Sequence, residues 1–193
     1  MKEAYSINIL CLGNWNKKVF TPEWVGNNVF ELETDKIQAF FNPNEMEIGY
    51  TNEGVTLLPR DSVLEIKLEN ISKETKEYSG ELLNKILALL PHTPIRAIGF
   101  NIRYNFGEEE TNSIIQKLNS LKCNYNEFTA NQIKFSKNFD RYQLNIIADI
   151  QDDGYNVNFN FHYTTKHHPE EFTFTDYIVI EKFQETQKII ENE

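Results

Sequence analysis

Only two of the 193 residues are cysteine, Cys11 and Cys123. Two thiols make no disulfide framework, so stability must come from a packed core. A chain of this length buries well over half of its unfolded surface and needs no covalent staples. Cys11 sits in the apolar run Ile9–Leu12 and reads as a small core residue, whereas Cys123 lies in a polar stretch. Glycine and proline are sparse, at 8 and 6, and nowhere cluster into a linker. One domain over residues 1–193 is the expectation.

Arginine is scarcer still: Arg60, Arg96, Arg103 and Arg141 are all there is, against a net charge of -10. Both facts oppose direct nucleic-acid binding, which needs a positive face and favours arginine for phosphates and bases. The longest basic run is Lys17-Lys18. Arg96 and Arg103 fall on opposite faces of one strand by alternation and form no phosphate clamp. No apolar run approaches the ~20 residues of a membrane helix, and Met1–Tyr5 lacks the pattern of a secretory signal. No membrane role is expected, and a reducing cytoplasm is the expected location.

The motifs of common chemistry are missing too. There is no GxSxG elbow, no HExxH and no GxGxxG or GxxxxGK[ST] loop. No cofactor is expected, and the balance leans away from an enzyme.

What the chain does have is aromatics, 14 Phe and 9 Tyr, which pack well on a pleated sheet. Alternation marks strands at Ser6–Leu12, Leu64–Leu68 and Ile98–Tyr104. Val29–Leu32 and Ile37–Phe41 read as a hairpin around Thr34-Asp35. Asn42-Pro43-Asn44 is a turn, and Met46–Tyr50 with Val55–Leu58 reads as a second hairpin. Tyr78, Leu82, Ile86 and Leu89 have helical spacing, stopped by Pro91 and Pro94. A helix between strands allows a parallel crossover, which would make the sheet mixed. Glu108–Glu110 suggest the N-terminus of a second helix. Thr175 or Asp176 can cap a third, after a short strand at Phe172 and Phe174.

The most specific local signal is the pair of alternating runs Tyr142–Ile150 and Tyr155–Tyr163, separated by Gln151-Asp152-Asp153-Gly154. Asp-Gly suggests a two-residue type I′ turn that pairs Asp152 with Tyr155, Ile150 with Val157 and Ala148 with Phe159. Gln132–Phe135 extends the meander. The expected fold is α+β: a large mixed, mostly antiparallel sheet of about eight to ten strands. About three helices, near 75–90, 108–121 and 176–191, cover one face.

Three sets of residues are candidates for function. Asn145, Asp149, Asn156, Asn158, Asn160 and His162 share the polar face of the hairpin, where Asn158, Asn160 and His162 offer fixed rows of donors and acceptors. Trp15 and Trp24 sit in the polar loop Gly13–Asn28 and read either as interface anchors or as indoles folded back on the core. His162, His167, His168 and Glu170 are the densest set of metal-capable groups, at spacings that match no known ligand pattern. The leading reading is a non-enzymatic interaction, accessory or inhibitor protein with an acidic surface, whose partner is another protein or a second copy. Metal-assisted hydrolysis at the histidine cluster, or small-ligand binding under the sheet, are the alternatives.

Overall fold

The computed structural model describes residues 2–43, 46–107, 109–110, 113–121, 124–125, 128–129, 131–164 and 172–191. The strands are β1 (Ser6–Gly13), β2 (Gln38–Asn42), β3 (Glu47–Asn52), β4 (Val55–Pro59), β5 (Val63–Leu68), β6 (Ile95–Gly107), β7 (Asn124–Tyr125), β8 (Phe128–Thr129), β9 (Gln132–Asn138), β10 (Gln143–Gln151) and β11 (Gly154–Thr164). The helices are α1 (Pro22–Trp24), α2 (Lys73–Leu89), α3 (Ser113–Leu121) and α4 (Ile178–Glu191). Among the described residues, nine strands form one sheet in the order β2-β3-β4-β5-β1-β6-β11-β10-β9, and β7 pairs β8 separately. The large α+β sheet with helices on one face is therefore as the sequence implies. No helix among the described residues is long and apolar enough to cross a membrane.

Alternation decides the two faces. Ile7, Ile9 and Cys11 of β1 lie in register with Ile66 and Leu64 of β5 and with Ile102, Phe100 and Ile98 of β6, and all are buried. The same face continues through Tyr104, Phe159, Phe161 and Tyr163. Each such side chain contributes roughly 1.5–3 kcal/mol of apolar burial. The helices cover this side. Ser72 caps α2 by accepting the Thr75 N–H at 3.1 Å, and Leu82, Leu83 and Ile86 face inward. Tyr104 Oη meets Thr186 Oγ1 of α4 at 2.6 Å, and Tyr155 Oη donates to Asn119 of α3. The segment 17–37, helical turns including α1, closes the β2–β5 end, where Tyr50 Oη donates to the Phe20 carbonyl.

Several local expectations are corrected. α2 does join two strands of like direction, but β1 lies between β5 and β6, so every hydrogen-bonded pair is antiparallel. Val29 and Phe30 belong to a helical turn, because they pack inward as part of the segment over Tyr50 rather than pairing with β2. The hairpin of β2 is made with β3 instead. β3 and β4 turn through Glu53 and Gly54, whose φ of 48° and 75° are the left-handed pair of a type I′ turn. Among the described residues α3 covers Ser113–Leu121, and Glu108 lies outside them; Glu110 accepts the Gly107 N–H and pairs with Lys2. Phe172 and Phe174 form no strand; they stack against each other, and Phe174 sits edge-on to Phe100 and Tyr163.

The β10–β11 hairpin exists, but two residues out of the expected register. Gln151 pairs Gly154, Ile150 pairs Tyr155 and Ala148 pairs Val157, leaving Asp152-Asp153 as the turn. The reason is packing against β6: a Cβ on Gly154 would lie 2.0 Å from the Phe106 carbonyl oxygen. Glycine serves that close approach within the strand rather than the turn. A slip of two preserves parity, so the expected apolar and polar faces stand.

Candidate functional site

Among the described residues, no helix packs on the second face of the sheet. Registers place one polar row across all nine strands: Gln38, Thr51, Thr56, Lys67, Asn8, Asn101, Asn160, Asn145 and Ser136. A row of this kind on an open face would ordinarily be wet. Here Asn8, Asn101 and Asn145 are only 7%, 4% and 5% exposed.

Their amides form a directed chain. Ser136 Oγ donates to Asn145 Oδ1 at 2.7 Å, Asn145 Nδ2 to Asn160 Oδ1 at 3.2 Å, and Asn160 Nδ2 to Asn101 Oδ1 at 2.9 Å. Asn158 Nδ2 reaches the same Asn101 oxygen at 3.4 Å. The chain ends there. Asn101 Nδ2 and Asn158 Oδ1 are buried and have no hydrogen-bond partner. Beyond the break, Asn8 Nδ2 donates to Glu65 at 2.6 Å, and the Arg103 guanidinium spans Ser6 and Asn8 at 3.4 Å. Glycine at position 99 makes room for this arrangement: a Cβ there would stand 3.1 Å from Asn160 Nδ2 and 3.9 Å from Asn101 Nδ2. Bare backbone thus forms the floor beside the unused donor.

The charge on this face is nearly balanced. Arg60, Lys67, Arg103 and Lys134 face Glu47, Glu65 and Asp149. Arg60 bridges Glu47 and Glu65, and these two hydrogen bonds raise its pKa further. The phenol and thiol ionisations that are displaced lie on the other side of the sheet. Burial pushes the Cys11 thiol up to about 12 and raises Tyr50, Tyr104, Tyr142 and Tyr163.

Of the candidate residues, Asn158, Asn160 and His162 stand side by side on β11 on this face. His162 also lines an open depression of about 350 Å³ with Asn138, Asp140, Arg141 and Thr164 at the end of the β9–β10 hairpin. Trp15 is buried, donating from Nε1 to the Cys11 carbonyl at 2.8 Å. Trp24 is half-buried against Phe20, edge to face at 5.2 Å. Both indoles belong to the core side. His167, His168, Glu170 and Cys123 lie outside the described residues. Among the described residues, no three His, Cys, Asp or Glu side chains gather as a metal site would need.

Sequence reading missed Asn8, Asn101, Gly99 and Arg103 as members of the site. Each sits in an apolar-looking strand, and only the pairing of β1 and β6 with β11 brings them beside Asn158 and Asn160. Compared with known proteins, the chain matches no family model, no curated protein and no solved structure.

Proposed function

We propose that the chain is a non-enzymatic accessory or inhibitor protein that recognises another protein through the open face of its sheet. The observation that supports this is the ladder of amides, more than nine-tenths buried at Asn8, Asn101 and Asn145, on a face that no described element covers. A merely solvated face carries long side chains free to move. These short amides are already fixed, which lowers the ordering cost of an association. The half-buried amides of Asn158 and Asn160 reach the surface, and each carries a donor and an acceptor, which suits peptide-like groups that carry both.

Size and charge agree with this reading. Nine strands at ~4.8 Å spacing give a face about 40 Å wide, enough for the roughly 800 Å² per partner of a standard interface. The face is near neutral, whereas exposed acids such as Glu74 and Glu81 sit on α2 across the sheet. The net charge of -10 then biases encounter toward basic proteins, and the amide face makes the contact.

The test compares three forms of the chain in an extract of the native host at low salt: wild type, Asn158→Arg/Asn160→Arg, and Glu81→Ala. Wild type and Glu81→Ala should retain the same protein, and the double variant should lose it while keeping the circular dichroism of the folded sheet, at a melting point lowered by the two ladder bonds of Asn160. Retention of nothing, or equal retention by all three, would count against the proposal.

A further inference from the structure

The two edges of the sheet are built differently. Edge strand β9 carries Lys134 and Lys137, one on each face, the usual protection against unwanted strand pairing. Edge strand β2 reads Gln-Ala-Phe-Phe-Asn and carries no charge. Among the described residues, β3 is its sole ladder neighbour. Phe40 and Phe41 are 44% and 53% exposed on its two faces, and Ile48, paired with Phe41, is 48% exposed. Phe40 is not loose. Its ring lies over Gly49, where a Cβ would be 2.3 Å from the ring and 2.8 Å from Leu58. The edge is thus a fixed, apolar, uncharged strand, and among the described residues no second strand pairs with Gln38–Phe41 on the side away from β3.

We propose that β2 pairs with the β2 strand of a second copy, antiparallel and centred on Phe40. The strand is self-complementary about that residue. Phe40 would meet its own copy, and the small Ala39 would lie opposite the large Phe41 on each side of the axis. Both faces are preserved by this symmetry, because residues of like parity pair. Either phase of the antiparallel ladder allows it: alternate residues turn their N–H and C=O outward, and a two-fold axis fits at both kinds of pair. No like charges are brought together, which a chain of net charge -10 would otherwise risk. Five residues a side is far below the ~20–30 of a standard interface, so the association is weak and set by concentration. The result is a continuous sheet of eighteen strands with two open polar faces on the same side.

Sedimentation equilibrium from micromolar to millimolar chain concentration tests this. The average mass of wild type should rise from 22.7 kDa toward twice that value. Phe41→Lys and, separately, Ala39→Lys should hold it at one chain, with unchanged melting because both positions are exposed. Asn158→Arg/Asn160→Arg, on the open face, should self-associate like wild type, which separates this proposal from the preceding one. A wild type that stays a single chain at every concentration overturns it, including the case where β2 takes a foreign strand. So does self-association that survives both lysine variants, or that the open-face variant abolishes.

Discussion

Asn101 and Asn145 offer a test of the ladder in which the more central residue matters less. The two are equally buried, and each would be changed to alanine, so cavity and transfer terms nearly cancel. Asn145 makes two good bonds, from Ser136 and to Asn160. Their loss at about 1 kcal/mol each costs Asn145→Ala about 2 kcal/mol. Asn101 receives bonds at 2.9 and 3.4 Å, but its Nδ2 is buried without a partner. Removing that orphan recovers roughly 1–3 kcal/mol of desolvation, which offsets the lost bonds, since water reaches the half-buried Asn158 and Asn160. Asn101→Ala should therefore be near neutral. In thermal melts, Asn145→Ala should lower Tm by about 4–8 °C and Asn101→Ala by no more than about 2 °C. An equal or larger loss for Asn101→Ala would refute the reasoning, because it would mean that the Asn101 amide is fully used.

Three further outcomes follow from the helix side. Gly80→Ala should destabilise by about 1–3 kcal/mol in denaturant titration, against the ~1 kcal/mol that helix propensity alone would gain, because its Cβ would stand 2.1 Å from the Asp176 carbonyl oxygen. Lys182→Met should cost about 1–3 kcal/mol: the buried ammonium lies 3.9 Å from the Tyr142 ring centre and pairs with Glu185 at 2.9 Å, and an unchanged midpoint would mean that the pair contributes nothing. Stability should also fall in alkali. The unfolded Cys11 thiol ionises near its ordinary 9.0 while the folded one holds its proton to about 12, so the folded state binds more protons in that window. The loss should run between those two pH values, deepen as Tyr142 and Tyr163 join, and shrink in Cys11→Ala when unfolding is followed at stepped pH.

Much of the fold was legible because period-two alternation reports faces directly. Ile7, Ile9 and Cys11, and Tyr155 to Tyr163, announced their buried sides without any knowledge of partners. Register was less legible. Asp153-Gly154 looks like a turn, and only the approach of Phe106 shows why the glycine is needed in the strand. Strand order was not legible at all, since nothing local says that β1 fills the space between β5 and β6. The site shares that limit. Asn158 and Asn160 were visible as one polar face, but Asn8 and Asn101 join them through pairings far apart in sequence. The Trp15 loop was ambiguous for a related reason: an indole in a polar stretch looks the same in sequence whether it is presented or folded inward.

The central claim is that the open amide face makes the contact with a partner. Side-chain amide resonances of Asn101, Asn158 and Asn160 report on that face atom by atom. When the protein retained by wild type is titrated into labelled chain, these three signals should shift together while the Trp15 indole signal stays in place. Unmoved asparagine amides, with shifts confined to the helix side, would contradict the account.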